Sequence, residues 1–394
     1  VKITTLKQDY ALREINSLKL LLTLRKAKPE IYQLNPEAYM LWKYVFMCKN
    51  LKEVVTKFSN YYNLKQLYAK QEIKNYFLSF DTLSPSKGVI EELKVQLTQG
   101  NAILKASFEL TGQCNVNCKH CYAFVERKKA TLTLAQCKTV IDKLVEIGVI
   151  YLTLTGGECT LHKGFVTLYK YAISKGMYVS LITNGTLIES KGLIKVFKQH
   201  PPYYIKLSLY GPDPTTHEAI TRVKGSFHKT WKAILALQKN KINFYVGCLA
   251  FKETLTRLPT LFEMAKKHKI PIRFYWGFIK TRSGDKTPLG YRIEKTDEEL
   301  LKNYNSNFKI DFFDPPSQQN SDDKVFQCNA GKKFIHINCK ADVFLCKLDT
   351  LPTANMLSDS IATVLDKLHK KRINKFSNTN LFNLCPIRYD YNQH

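Results

Sequence analysis

From residue 102 onward, short apolar runs alternate with amphipathic stretches. The runs are "AILKASFEL" (102–110), "VIYLTLT" (149–155), "MYVSLIT" (177–183), "YYIKLSLY" (203–210), "INFYVGCLAF" (242–251) and "IPIRFYWGF" (270–278). Their length and their Ile, Val, Tyr and Phe content predict strands, and the segments between them have helical spacing. In "TLAQCKTVIDKLVEIG", Thr133 and Gln136 predict a capping box and Gly148 a stop. Six strand–helix units in series imply an α/β class with a parallel sheet, open or curled into a partial (β/α)6 TIM barrel.

The first 85 residues follow another pattern. "REINSLKLLLTLRKAKPEIYQLN" reads as short strands, and helical stretches follow near 36–48, 51–61 and 66–79, the first with Asn35 as N-cap and Pro36 at N1. From "SFDTLSPSKG" (79–88) to Gly100 the apolar period lapses and Ser, Pro and Gly cluster, as in a linker. The expected layout is a small domain over 1–85, a linker over 86–101, the barrel over 102–310 and an extension over 311–394.

The polar motifs fall at strand ends. "TGGE" (155–158) follows the second strand, "TNG" (183–185) the third, and "SLYG" (208–211) ends the fourth. After the first comes "ELTGQCNVNCKHCYAF", with Cys114, Cys118 and Cys121 spaced Cys-x3-Cys-x2-Cys. Active sites of parallel βα folds lie at the carboxyl ends of the strands, so these motifs face one mouth. Three thiolates on one loop leave a structural zinc site short of its fourth ligand. A [4Fe-4S] cluster held by three thiolates keeps one iron open. The loop is polar and led by glycine, unlike a stripe of core cysteines.

Composition narrows the class. The chain has 394 residues, 44% of them hydrophobic, with no run of 18 or more apolar residues and no secretory pattern in "VKITTLKQDYALRE". A cytoplasmic protein without a membrane span is expected. Eleven cysteines are an odd number and suit metal ligation better than a disulfide framework. The net charge of +27 is spread over segments such as "AKKHK" and "KLHKKRINK", which read as solvated helix faces, so a dedicated nucleic-acid site is not expected.

With these motifs in order, the chain resembles the radical S-adenosylmethionine (SAM) superfamily over residues 102–280. The resemblance implies a [4Fe-4S] cluster on Cys114, Cys118 and Cys121 whose open iron chelates SAM, giving a 5′-deoxyadenosyl radical that abstracts hydrogen. It implies that Gly156, Gly157 and Glu158 meet the SAM amino group, that Thr183 and Asn184 hold its polar end, and that Ser208 faces the ribose. His120 takes the aromatic position near the adenine, and the Tyr122 backbone meets the adenine edge. Cys159 replaces the usual Pro and reads as a small filler. Arg222 is a candidate for the SAM carboxylate, although the family's Arg or Thr stands one position earlier, at Thr221. Cys137 and Cys48 read as core, and Cys248 in the fifth strand reads as core packing first, with a hydrogen donor from the barrel interior as the alternative.

Both ends point to a peptide substrate. Residues 1–85 resemble the winged-helix-like recognition element of ribosomal-peptide maturation systems, which implies binding of a leader peptide by strand addition. "FQCNAGKKFIHINCKADVFLC" with Cys385 resembles the Twitch or SPASM hairpin–helix extension of radical SAM peptide maturases, with Ala341 where Gly is commoner. This implies one auxiliary iron–sulfur cluster on Cys328, Cys346 and Cys385. Cys339, seven residues before Cys346, is a further candidate ligand, but strict alternation places it on the opposite strand face. His336 reads as surface or packing. The expectation is thus a maturase of ribosomally made peptides that forms a thioether, with a precursor peptide and a flavodoxin- or ferredoxin-type electron donor as partners. Carbon–carbon coupling, epimerisation, chemistry on a small molecule or RNA, and a DNA-binding iron–sulfur regulator are the alternatives.

Overall fold

The computed structural model describes residues 3–15, 18–24, 30–80, 103–123, 130–307 and 330–376. The expected linker, Cys328 and Cys385 lie outside them. Among the described residues, no helix is long and apolar enough to cross a membrane.

The N-terminal unit begins with helix α1 (Ile3–Asp9), for which the sequence pattern gave no sign. Strands β1 (Tyr10–Ile15), β2 (Leu18–Thr23) and β3 (Ile31–Gln33) form an antiparallel sheet in that order. Helices α2 (Pro36–Met47), α3 (Leu51–Tyr61) and α4 (Gln66–Phe80) follow. The Asn35 side chain accepts from the Ala38 N–H at 2.8 Å, as its N-cap position requires. "LKLLLT" is apolar at successive positions because β2 is covered on both faces. Leu21 packs on Trp42 and the helices, whereas Leu20 and Leu22 pack with Ile150 and Tyr178 of the barrel. Arg13, on the same face as Ala11, donates to the carbonyls of Val145, Val149 and Lys175, at the carboxyl ends of two barrel helices. Carbonyls at helix carboxyl ends keep acceptor capacity to spare, and Val145 O accepts from Gly148 N as well, so a buried guanidinium suits them. Burial lowers the Arg13 pKa to about 10.

The barrel strands are β4 (Lys105–Thr111), β5 (Tyr151–Gly156), β6 (Tyr178–Thr183), β7 (Ile205–Ser208), β8 (Phe244–Leu249) and β9 (Ile272–Tyr275), parallel and in chain order. β6 to β9 lie within the apolar runs that predict them, and β4 and β5 extend one residue past theirs. Alternation assigns the two faces. Ala106 aligns with Leu152 and Val179, and Phe108 with Leu154 and Leu181, all packed against helices such as α5 (Leu134–Ile147). The other face carries Ser107 beside Thr153 and Ser180, with Glu109 beside Thr155. The sheet is therefore dry outside and polar within. The Thr133–Gln136 capping box is present, and Gly148 closes α5 at φ +103°.

The C-terminal hairpin, β10 (Phe334–Ile337) and β11 (Asp342–Phe344), does not stand apart from the barrel. β10 pairs in parallel with β4, so one sheet runs β12-β11-β10-β4-β5-β6-β7-β8-β9, with β12 being Ala354–Asn355. Among the described residues the sheet is open, as a partial barrel. Ala341 takes φ +64° in the hairpin turn, which explains why glycine suits that position. Of the surface and packing alternatives, His336 takes the buried one. It points to the polar inner face, is 1% exposed and bonds Ser107 Oγ at 2.7 Å.

Candidate active site at the strand carboxyl ends

β4 ends at Thr111, and the cysteine loop leaves it across the GGE segment. Gly157 N donates to Thr111 O at 2.9 Å and Glu158 N to Gln113 O at 2.8 Å. A Cβ on Gly156 would lie 2.3 Å from Thr111 O, and one on Gly157 would lie 2.2 Å from Gln113 O. The two glycines are thus needed first for this close backbone approach. The second half of the loop rests on helix α8, which follows α6 (Phe165–Ser174) and α7 (Leu193–Gln199) and spans Pro214–Thr221. Asn117 N donates to Thr221 O at 2.8 Å and Lys119 N to Ile220 O at 3.1 Å. The Lys119 side chain pairs with Glu253 over the rings of Phe251 and Tyr291.

Glu158 is 1% exposed, and protein donors surround its carboxylate. Oε1 accepts from Thr160 N at 3.0 Å and Thr160 Oγ1 at 2.6 Å. Thr183 Oγ1 reaches both oxygens, at 2.8 and 2.9 Å, and Asn184 N donates to Oε2 at 2.8 Å. This differs from the expectation of a carboxylate facing an ammonium. A buried charge is tolerable only when its lone pairs are filled, and here they are filled by Thr160 together with the third strand's motif. Glu158 and Thr183 therefore position one another. Asn184 Nδ2 in turn donates to Asn115 Oδ1 at 2.8 Å, and Asn115 Nδ2 donates to Thr186 Oγ1 at 2.8 Å. The "TNG" turn thereby grips the cysteine loop.

The thiols lie against a small apolar cluster. Cys118 is buried with Val116, Tyr210, Ile220, Phe251 and Phe278, and half-buried Cys114 packs beside them. The His120 ring meets Tyr210 and Phe251 edge-on, with centroids 5.1 Å apart in each pair. Tyr210 Oη lies 3.4 Å from His120 Nε2, with the Ser208 side chain near enough to act on its titration. Burial first, then the neighbouring Cys118, pushes the Tyr210 hydroxyl well above its ordinary pKa. The adenine-side and ribose-side candidates, His120 and Ser208, thus both adjoin Tyr210. Tyr122 follows Cys121, and its carbonyl accepts from Arg282 N at 2.9 Å.

Two candidates lie elsewhere. Cys248 shares the outer face with Phe244 and Val246, aligns with Phe274 and is fully buried in the helix-packed core. Burial also pushes its thiol pKa up, so it is a core residue and not a hydrogen donor to the interior. Arg222 is exposed at the end of α8 with φ +55°, and its N–H closes the helix on Glu218 O at 2.7 Å. Its backbone adjoins the loop through Thr221, and its position is that of a helix cap. Cys159 and Cys137 are buried fillers, as expected. Cys339 sits in the turn between β10 and β11 and Cys346 just beyond β11, so they lie at opposite ends of one strand. The alternation rule does not apply to Cys339, which is outside the strands. The sequence reading missed Tyr210, Asn115, Thr160 and the Glu109–Arg282–His336 group. "SLYG" held Tyr210 in plain view, but nothing local marked the others.

Among the described residues, no three His, Cys, Asp or Glu side chains converge where a single metal ion would sit. In an iron–sulfur cluster each thiolate takes a different iron, so the sulfurs need not share a centre. Three thiols on one loop, backed by an apolar wall and gripped by a polar network, fit such a cluster.

Residues 108–265 match the Radical SAM superfamily model. The antilisterial bacteriocin subtilosin biosynthesis protein AlbA of Bacillus subtilis is 33% identical over 167 residues, which cover 42% of this chain and 36% of AlbA. An AdoMet-dependent heme synthase of Methanosarcina barkeri is 28% identical over 189 residues, covering 48% of this chain and 54% of that one. The matched stretches thus span about a third to a half of these relatives' own length. Among solved structures, Streptococcus suis SuiB bound to precursor peptide SuiA superposes with a TM-score of 0.59 at 14% identity, over 96% of this chain and 92% of that one, a likeness of fold. Sequence match, fold and the place of the three cysteines at the end of the first barrel strand agree: residues 108–265 form a radical SAM domain.

Proposed function

We propose that the protein is a radical SAM enzyme that modifies a ribosomally made precursor peptide. The observation that carries the chemistry is the assembly of three motifs, distant in sequence, into one hydrogen-bonded unit around Cys114, Cys118 and Cys121. Those cysteines would hold a [4Fe-4S] cluster, with SAM received among Gly156, Gly157, Asn184, Ser208, His120 and the Tyr122 backbone. When bound, the pair supplies a 5′-deoxyadenosyl radical that takes hydrogen from an unactivated C–H bond. The residues of the chain do the rest. Glu158 and Thr183 hold the second and third strand ends together. Asn184 and Asn115 hold the loop, while Val116, Phe251 and Phe278 keep water from the thiols. The polar inner face, with Ser107, Thr153 and Ser180, offers hydrogen bonds to a substrate entering the mouth.

A peptide substrate is supported by AlbA, a bacteriocin biosynthesis protein, and by the fold shared with SuiB, which was crystallised with its precursor peptide. The N-terminal sheet supports it too, since β3 is an edge strand on which a leader can add. An auxiliary cluster on Cys346 with Cys328 and Cys385 would leave an open iron for a substrate thiolate, which favours a thioether product. The heme synthase relative favours a second reading, a small-molecule substrate. Reduced protein under anaerobic conditions is expected to cleave SAM, and Cys114→Ala/Cys118→Ala/Cys121→Ala to lose that activity while staying folded. Undiminished cleavage in that variant overturns the assignment. Deleting residues 1–85 is expected to weaken precursor binding far more than uncoupled SAM cleavage. Equal peptide affinity with and without these residues favours the small molecule.

A further inference from the structure

One arginine in the loop after β9 touches three separately built parts of the mouth. The Arg282 guanidinium is 9% exposed and forks onto Glu109, Nη2 to Oε1 at 2.9 Å and Nη1 to Oε2 at 3.3 Å. Nη2 also lies 2.7 Å from His336 Nε2, which is itself 3.2 Å from Glu109 Oε1, and Nδ1 of the same ring faces Ser107 Oγ at 2.7 Å. Its backbone N–H holds the Tyr122 carbonyl at 2.9 Å, and its charge lies 5.2 Å from the Tyr122 ring and 5.7 Å from the Phe344 ring. Glu109 belongs to the strand that launches the cysteine loop, Tyr122 to the loop's far end, and His336 and Phe344 to the hairpin that leads to Cys346. Only a planar, multiply donating cation can meet all of these at once. A buried ion pair of this kind adds little net stability against an apolar replacement, so its use lies in fixing geometry.

We propose that Arg282 is a positioning residue that sets Tyr122, and with it the adenine side of the SAM site, against β4 and the C-terminal hairpin. This rests on the reading of the three cysteines and Tyr122 as cluster and cofactor residues. The contacts explain how the hairpin, which contributes no residue to the SAM site, is tied to it through two side chains. A change at Phe344 or His336 is then felt at the cofactor.

The test uses full-length protein with reconstituted iron, following the shift in the reduced cluster's EPR spectrum as SAM is added without precursor. Arg282→Gln is expected to weaken SAM binding about ten-fold at unchanged iron content, the scale on which contacts supporting a metal site act. Arg282→Lys is expected to fall between, since it keeps charge near Tyr122 and loses the fork. Phe344→Leu should weaken SAM binding less, and its effect should not add to that of Arg282→Gln. Because Arg282→Gln leaves Glu109 buried without its partner, the pair Glu109→Gln/Arg282→Gln serves as the folded control. Weakened SAM binding in the folded pair supports the role. Wild-type affinity in the pair, or in Arg282→Gln itself, shows that Arg282 only balances charge and overturns it. A wild type that holds iron yet shows no spectral change with SAM overturns the reading of the site, and this inference falls with it.

Discussion

The cysteine loop and the C-terminal hairpin both carry cysteines at an end of the barrel sheet, but they are built on different principles. In the loop, three thiols lie within eight positions, and the backbone around them is fixed from outside by Gly157, Glu158, Ile220, Thr221 and Asn184. In the hairpin, Cys339 and Cys346 are separated by a whole strand, and the turn is held by its own residues. Asn338 Oδ1 accepts from Lys340 N and Asp342 N at 2.9 Å each, while Ala341 takes the left-handed conformation. A ligand set on one loop can be read from spacing because the intervening residues cannot carry the thiols far apart. A set spread over a hairpin cannot, since each strand residue adds about 3.3 Å of separation.

The contrast can be tested at both sites. The largest effect is expected from the loop, where Cys118→Ala alone should remove most of the SAM-responsive iron signal. Retention of that signal would detach the loop from the cluster. In the hairpin the cysteines should differ from each other. Cys346→Ala is expected to lower iron and sulfide content by one cluster, and Cys339→Ala to leave it at the wild-type level. Equal losses in the two variants would mean that the hairpin closes on one site after all.

Glu158→Gln probes what grips the loop. It replaces an acceptor of charge-assisted bonds by an amide whose NH2 faces donors, and is expected to cost about 1–3 kcal/mol in chemical unfolding. An unchanged denaturation midpoint would show that the Thr160, Thr183 and Asn184 contacts carry no weight. Glu109 adds a pH signature. Burial alone would raise its pKa, but His336 and Arg282 outweigh that and hold the carboxyl at about 2, below its ordinary 4.5. The folded state therefore binds this proton less readily than the unfolded chain. Its contribution is complete above the ordinary value and lost as pH falls toward 2. Glu109→Gln should flatten the acid limb of a stability–pH curve, and an unaltered limb would refute the shift. The smallest effect is expected at the hairpin turn, where Ala341→Gly should stabilise by about 1 kcal/mol by relieving a left-handed alanine. A lowered melting temperature would contradict that.

Much of this was determined by local sequence. The six apolar runs place the six barrel strands because strand formation and burial both follow from short-range pattern. The Asn35 and Thr133 caps are present because a cap acts within three or four residues. The cysteine loop and the two motifs beside it were visible as a site because the ends of consecutive parallel strands must share a mouth. Tertiary structure alone decided which face each strand residue takes. Cys248 turned outward because its neighbours Phe244 and Val246 need helices to cover them, and a single strand sequence that is apolar at most positions does not announce that choice. It also decided the company of Glu109, Arg282 and His336, which are more than fifty residues apart in sequence at their nearest. They meet only because β10 returns to pair with β4. Glu158 shows the same limit: its motif foretold a carboxylate at the site, but Thr183 and Asn184 at the end of the next strand share that carboxylate with the local Thr160, and only the folded chain brings them within reach.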